Sequence, residues 1–161
     1  MIAHLAEMFD VEIDDSAETA DDLLTPTFHE IERAVRIRPN DSRCAPLTLV
    51  FTAYPGISMH AGLLHDFHYP VCGCDACDSN WQAEADELEQ QVFAVVGGRY
   101  REKIERGLRL WVEFAFTYPD GASSGKSRSQ DFPVQLLEDA EPILRSLPDG
   151  WGPWPRAATA S

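Results

Sequence analysis

The sequence predicts an α+β fold: a single-layer, mostly antiparallel sheet with helices packed on one face. Three observations carry this. Residues 47–63 alternate apolar and polar about a Pro-Gly turn, residues 108–118 alternate over a longer run, and residues 81–95 repeat apolar positions at helical spacing. The 161 residues are read as one domain, 1–161, with an acidic N-terminal segment over 1–22 and a Trp/Pro tail over 148–161 packed on the body. At 44% hydrophobic content, a core is available without disulfide staples.

Near the N-terminus, Leu5, Met8 and Phe9 share one apolar turn of helix. Thr25-Pro26 offers a cap and a first-turn proline, and Phe28, Ile31 and Val35 fall at i, i+3 and i+7, so the spacing predicts a helix that stops at Pro39. Leu47, Leu49, Phe51 and Ala53 then alternate with polar positions, as do Ile57, Met59, Ala61 and Leu63. A three-residue loop pairs Ala53 with Ile57, Phe51 with Met59 and Leu47 with Leu63, which brings both apolar sets to one face. Continued outward, that register sets Cys44 opposite Asp66 and gathers Cys44, His65, His68 and the later cysteines at one end of the hairpin. Asp78 or Ser79 caps the next helix, whose stripe is Trp81, Ala85, Leu88, Val92 and Val95, and Gly97-Gly98 ends it. Tyr100–Arg106 alternates weakly as a strand, 108–118 is the clearest strand, and Pro119-Asp120-Gly121 is a turn. Residues 122–131 are an edge strand or a loop, and 134–147 are helical with Pro142 breaking or restarting the helix. Trp151 and Trp154 are expected to pack on the body, since exposed tryptophan is costly.

Composition narrows function. The formal charge of −14 argues against nucleic acid, whose phosphates need a basic face. The acid is concentrated in residues 1–22 and again after the cysteines, which reads plainly as solvated faces that aid solubility and more sharply as a surface for a basic protein partner. No apolar run is long enough to span a membrane, and the first residues lack a basic and apolar leader pattern, so no membrane association and a cytoplasmic location are expected.

The chemistry-bearing residues cluster in one place, Cys72-Gly73-Cys74-Asp75-Ala76-Cys77, just after His65 and His68. Zinc takes four N or S ligands in a tetrahedron, and a Cys-x-x-Cys step presents two sulfurs to one ion. The expected ligands are Cys72, Cys74, Cys77 and His68, with His65 and Cys44 as alternatives for the fourth place. His60 fits less well, because it sits mid-strand on the outer face. Buried free thiols are the plainer reading, and Asp75 and Asp78 beside the sulfurs oppose thiolate activation. Several enzyme signatures fail. Gly121 to Ser127 has the wrong glycine spacing for a phosphate loop, His29-Glu30 lacks the second histidine of a zincin helix, and no His-x-Glu accompanies the cysteines as in deaminases.

The segments His60-Ala-Gly-Leu-Leu-His65-Asp-Phe, Cys72-Gly-Cys-Asp-Ala-Cys77-Asp, Ala94-Val-Val-Gly-Gly98 with Tyr100-Arg101, and the Trp-Pro tail resemble a family of uncharacterised bacterial proteins, a domain of unknown function. The resemblance covers about half of the chain and transfers no role to any residue. The sequence therefore reads as a non-enzymatic binding protein with a structural zinc and no catalytic residues. The alternatives are a metal- or thiol-dependent enzyme acting on a small molecule at the same segment, and a redox cysteine pair.

Overall fold

The computed structural model describes residues 1–54, 56–70 and 80–158. In chain order the elements are α1 (Ile2–Met8), β1 (Val11–Asp14), a 3₁₀ helix (Ala17–Asp22), β2 (Ile31–Pro39), β3 (Leu47–Thr52), β4 (Gly56–Ala61), β5 (His65–Tyr69), α2 (Trp81–Val96), β6 (Tyr100–Arg106), β7 (Leu110–Tyr118), β8 (Gly121–Arg128), a 3₁₀ turn (Ser129–Asp131) and α3 (Val134–Arg145). The fold is α+β, and among the described residues every strand pairing is antiparallel. The strands form two sheets where one was expected: a five-stranded meander β1-β2-β3-β4-β5 and a three-stranded meander β6-β7-β8. The sheets meet through side chains rather than backbone bonds. Phe67 of β5 packs edge-on against Phe114 and Phe116 of β7 at 5.0 and 5.2 Å between ring centroids.

Residues 31–39 are a strand, which overturns the expected helix. The segment Val35-Arg36-Ile37-Arg38 alternates strictly, and Val35 and Ile37 are fully buried while Phe28, the anchor of the supposed helical stripe, is 99% exposed. The β3–β4 hairpin has both apolar sets on the core face, as expected, but slid by two residues: Phe51 faces Ile57, Leu49 faces Met59 and Leu47 faces Ala61. Thr52 closes the turn by donating its hydroxyl to the Tyr54 carbonyl at 2.7 Å, so the connection is one step earlier in the chain. The segment His65–Tyr69 continues the meander as β5, a strand that the hairpin pattern alone does not predict.

Helix α2 starts at Asn80, whose side-chain oxygen accepts the Gln82 backbone N–H at 3.0 Å; the expected caps Asp78 and Ser79 lie outside the described residues. Its second half carries the packing: Leu88, Val92 and Val95 are buried, whereas Trp81 is 75% exposed and Ala85 faces solvent. Residues 121–128 are an edge strand. Helix α3 runs through Pro142 without a break, because the proline sits in the last turn and only one backbone bond is missing there. Trp151 and Trp154 are each 4% exposed, and Trp154 Nε1 donates to the Ala45 carbonyl at 2.9 Å. One buried cluster joins the inner face of the large sheet, α2, the small sheet, α3 and these tryptophans.

Candidate functional site

Side chains alternate across the large sheet, so its two faces differ in chemistry. The inner face carries Leu49, Met59, Phe67 and their neighbours. The outer face carries a polar row that crosses all five strands in register: Asp14, Arg36, Thr48, His60 and Asp66. A second row holds Ala34, Val50, Ser58 and His68. Leu23, just after the 3₁₀ helix, covers Ala34 and Val50. The chain then crosses β5, where the Thr25 N–H donates to Asp66 Oδ2 at 2.8 Å.

Each outer histidine is held through Nδ1. His60 Nδ1 bonds Asp66 Oδ1 at 2.7 Å, with both side chains over nine-tenths buried. His68 Nδ1 meets Ser58 Oγ at 2.9 Å. Each lines its own cleft. His60 borders one of about 500 Å³ together with Asp21, Asp22, Arg36 and Arg38. His68 borders one of about 370 Å³ together with Ser58, Phe28, His29 and Tyr54. Between them the 3₁₀ helix is tied down by Asp22, which accepts two bonds from Arg36 at 2.6 Å each and one from the Thr48 hydroxyl. Burial alone would push the Asp22 carboxyl up. The hydrogen bonds from Arg36 and Thr48, with the Arg36 charge, outweigh it and hold the carboxyl below its ordinary value.

His65 lies on the opposite face of β5 from His68. Its Nδ1 donates to Glu102 Oε1 at 2.8 Å. Glu102 is fully buried and also accepts the backbone N–H groups of Leu63 and Leu64 and the Trp151 indole N–H. Four donors around two oxygens satisfy a carboxylate that would otherwise be costly to bury. His65 Nε2 has no hydrogen-bond partner among the described residues, and the ring packs edge-on against Phe114, 5.0 Å between centroids. His65 is thus a core residue that ties β5 to β6.

Cys44 is also elsewhere. It bridges to Gly152, its Sγ donates to the Pro153 carbonyl at 3.1 Å, and burial pushes its thiol up. It precedes the Leu47–Ala61–His65 end of the sheet, whereas His68 and Tyr69 sit at the other end, about 13 Å away at roughly 3.3 Å per residue. The expected gathering of Cys44, His65 and His68 at one end is therefore corrected. Cys72, Cys74 and Cys77 lie outside the described residues. Among the described residues no group of three or more His, Cys, Asp or Glu is arranged to hold a metal. Glu102, Asp66 and Asp22 carry no sequence signal of their roles, since nothing local distinguishes them from the other acidic residues.

Over residues 1–158 the chain matches a family of unknown function (DUF6226), and it belongs to that family. Neither the curated proteins nor the solved structures contain a match to it. Among the described residues no helix is long and apolar enough to cross a membrane.

Proposed function

We propose that this is a non-catalytic binding protein in which Cys72, Cys74, Cys77 and His68 hold a structural zinc ion, and that its acidic surface receives a basic protein. The observation that carries the zinc reading is the setting of His68. It stands on the outer face of β5, four residues before Cys72, with Nδ1 against Ser58 Oγ at 2.9 Å. With Nδ1–H donating to Ser58, Nε2 keeps its lone pair for a metal, the arrangement by which ligating histidines are usually oriented. The other candidates for the fourth place are engaged with Glu102 and with the Pro153 carbonyl. A closed site of this kind would fasten the end of β5 to the start of α2. The charge of −14 supports the basic partner.

The test is elemental analysis of untagged protein with thiol titration before and after chelation. The expected result is one zinc per chain, thiols released only by chelator, and zinc affinity lowered about 10–100-fold by Ser58→Ala. Metal-free protein with freely titrating thiols sinks the reading.

One observation favours a second reading, a metal-dependent enzyme. His68 borders a cleft of about 370 Å³, within the range of small-molecule sites. X-ray absorption separates the two: a zinc with only sulfur and nitrogen neighbours supports the structural role, and a zinc with a water oxygen supports the enzyme.

A further inference from the structure

The other outer-face cleft supports an inference that does not depend on zinc. The polar row on the sheet has a structural purpose in part: Arg36 and Thr48 both donate to Asp22 and hold the 3₁₀ helix down. That purpose leaves three groups unused. His60 has a side chain only 9% exposed, and beyond the Asp66 bond at Nδ1 its Nε2 has no hydrogen bond among the described residues. Arg38 and Asp21 line the same cleft, and neither forms an ion pair with the other or with any described residue. A free cation and a free anion that border one cavity yet do not meet leave room for a molecule carrying both charges.

The rest of the cleft narrows the class. Leu24, Leu63 and Leu136 give it an apolar wall. Its volume of about 500 Å³ is within the usual range for a small ligand. In the neutral imidazole, with Nδ1–H donating to the Asp66 carboxylate, His60 Nε2 carries a lone pair that can accept a hydrogen bond. Asp66 is itself fixed by the Thr25 N–H, so the imidazole is oriented before any ligand arrives.

We propose that this cleft binds a free apolar α-amino acid. Its carboxylate meets the Arg38 guanidinium, its ammonium donates to His60 Nε2 and faces Asp21, and its side chain lies on the leucine wall. Both signs of charge are needed, since Arg36 and Asp22 already neutralise each other and the cleft favours neither a plain anion nor a plain cation.

The experiment is a titration of isotope-labelled protein with L-leucine, following the His60 imidazole and Arg38 side-chain NMR signals. The expected result is a saturable shift of both with Kd of about 1 mM or tighter. N-acetyl-leucine, leucinamide and glycine should each bind at least about tenfold more weakly, as should L-leucine to Arg38→Gln and Asp21→Asn, two exposed substitutions that spare the fold. His60→Gln adds a third variant if its circular dichroism matches the parent. No saturable shift up to about 20 mM overturns the proposal. So does equal binding of the capped forms, or binding unchanged in Arg38→Gln and Asp21→Asn.

Discussion

At the scale of single residues, the side chains that shape the outer face act through paired carboxylates. Asp22 is the clearest case. It takes bonds from two neighbouring strands and is the only charged anchor of the 3₁₀ helix to the row beneath it among the described residues. Its carboxyl is held below the ordinary value, so its folded form binds a proton less readily than the unfolded chain does. Stability from this group is therefore fully present above about pH 4 and is lost as pH falls through the lower folded value. Urea unfolding of the parent and Asp22→Asn at pH 7 and pH 3 should show a clear deficit for the variant at pH 7 that shrinks at pH 3. A deficit of equal size at both values would mean that the charge is not what anchors the helix. Gly62 shows a different constraint. Its φ is +69°, and a Cβ there would collide with the Glu102 carboxylate, so only glycine lets the chain turn over that group.

At the scale of elements, period-2 alternation is the most legible signal. Residues 47–52, 57–61 and 110–118 are strands with the faces read from the sequence. The same signal is present in β2 and β5, where other patterns obscure it. In β2 a Thr-Pro start and three apolar residues at helical spacing compete with Val35-Arg36-Ile37-Arg38, and burial on the sheet decides the outcome. In β5 the sequence His65-Asp66-Phe67-His68-Tyr69 alternates too, but its two histidines beside the cysteines read first as ligands. Because the strand puts His65 and His68 on opposite faces, a single residue of register separates a core residue from one on the outer face. The partner of each buried polar group is not legible, because Glu102 and His65 are 37 residues apart and no local pattern links them. The tail is an element in its own right although it has no regular structure. Trp154 fills the space beside Phe9 at 5.9 Å and caps the Ala45 carbonyl. Trp154→Ala should cost about 3–5 kcal/mol in urea unfolding, as for other buried aromatic residues. A cost below about 1 kcal/mol would show that the tail merely lies on the surface.

At the scale of the whole molecule, the excess of negative charge acts in a way that no single contact describes. The chain carries −14, and many of its few cations are already paired, such as Arg33 with Asp15, Lys103 with Glu105 and Lys126 with Glu105. Exposed pairs of this sort contribute about 0–1 kcal/mol each, and salt weakens them. The unpaired excess acts in the other direction, because like charges spread over the surface repel and salt screens that repulsion within about 10 Å at 0.1 M. The excess should prevail. Raising sodium chloride from about 10 to 150 mM is expected to stabilise the protein by about 1 kcal/mol, or about 3 °C in Tm. A falling Tm over that range would give the pairs the larger share. A last consequence concerns synthesis. The indole that closes over the Ala45 carbonyl is supplied 109 positions downstream. At roughly 5–20 residues per second, a ribosome needs about 5–20 s to deliver it. Throughout that interval the Ala45 carbonyl of the nascent chain lacks the donor that finally closes over it, so the Ala45 end of the large sheet completes its cover only after the tail has emerged.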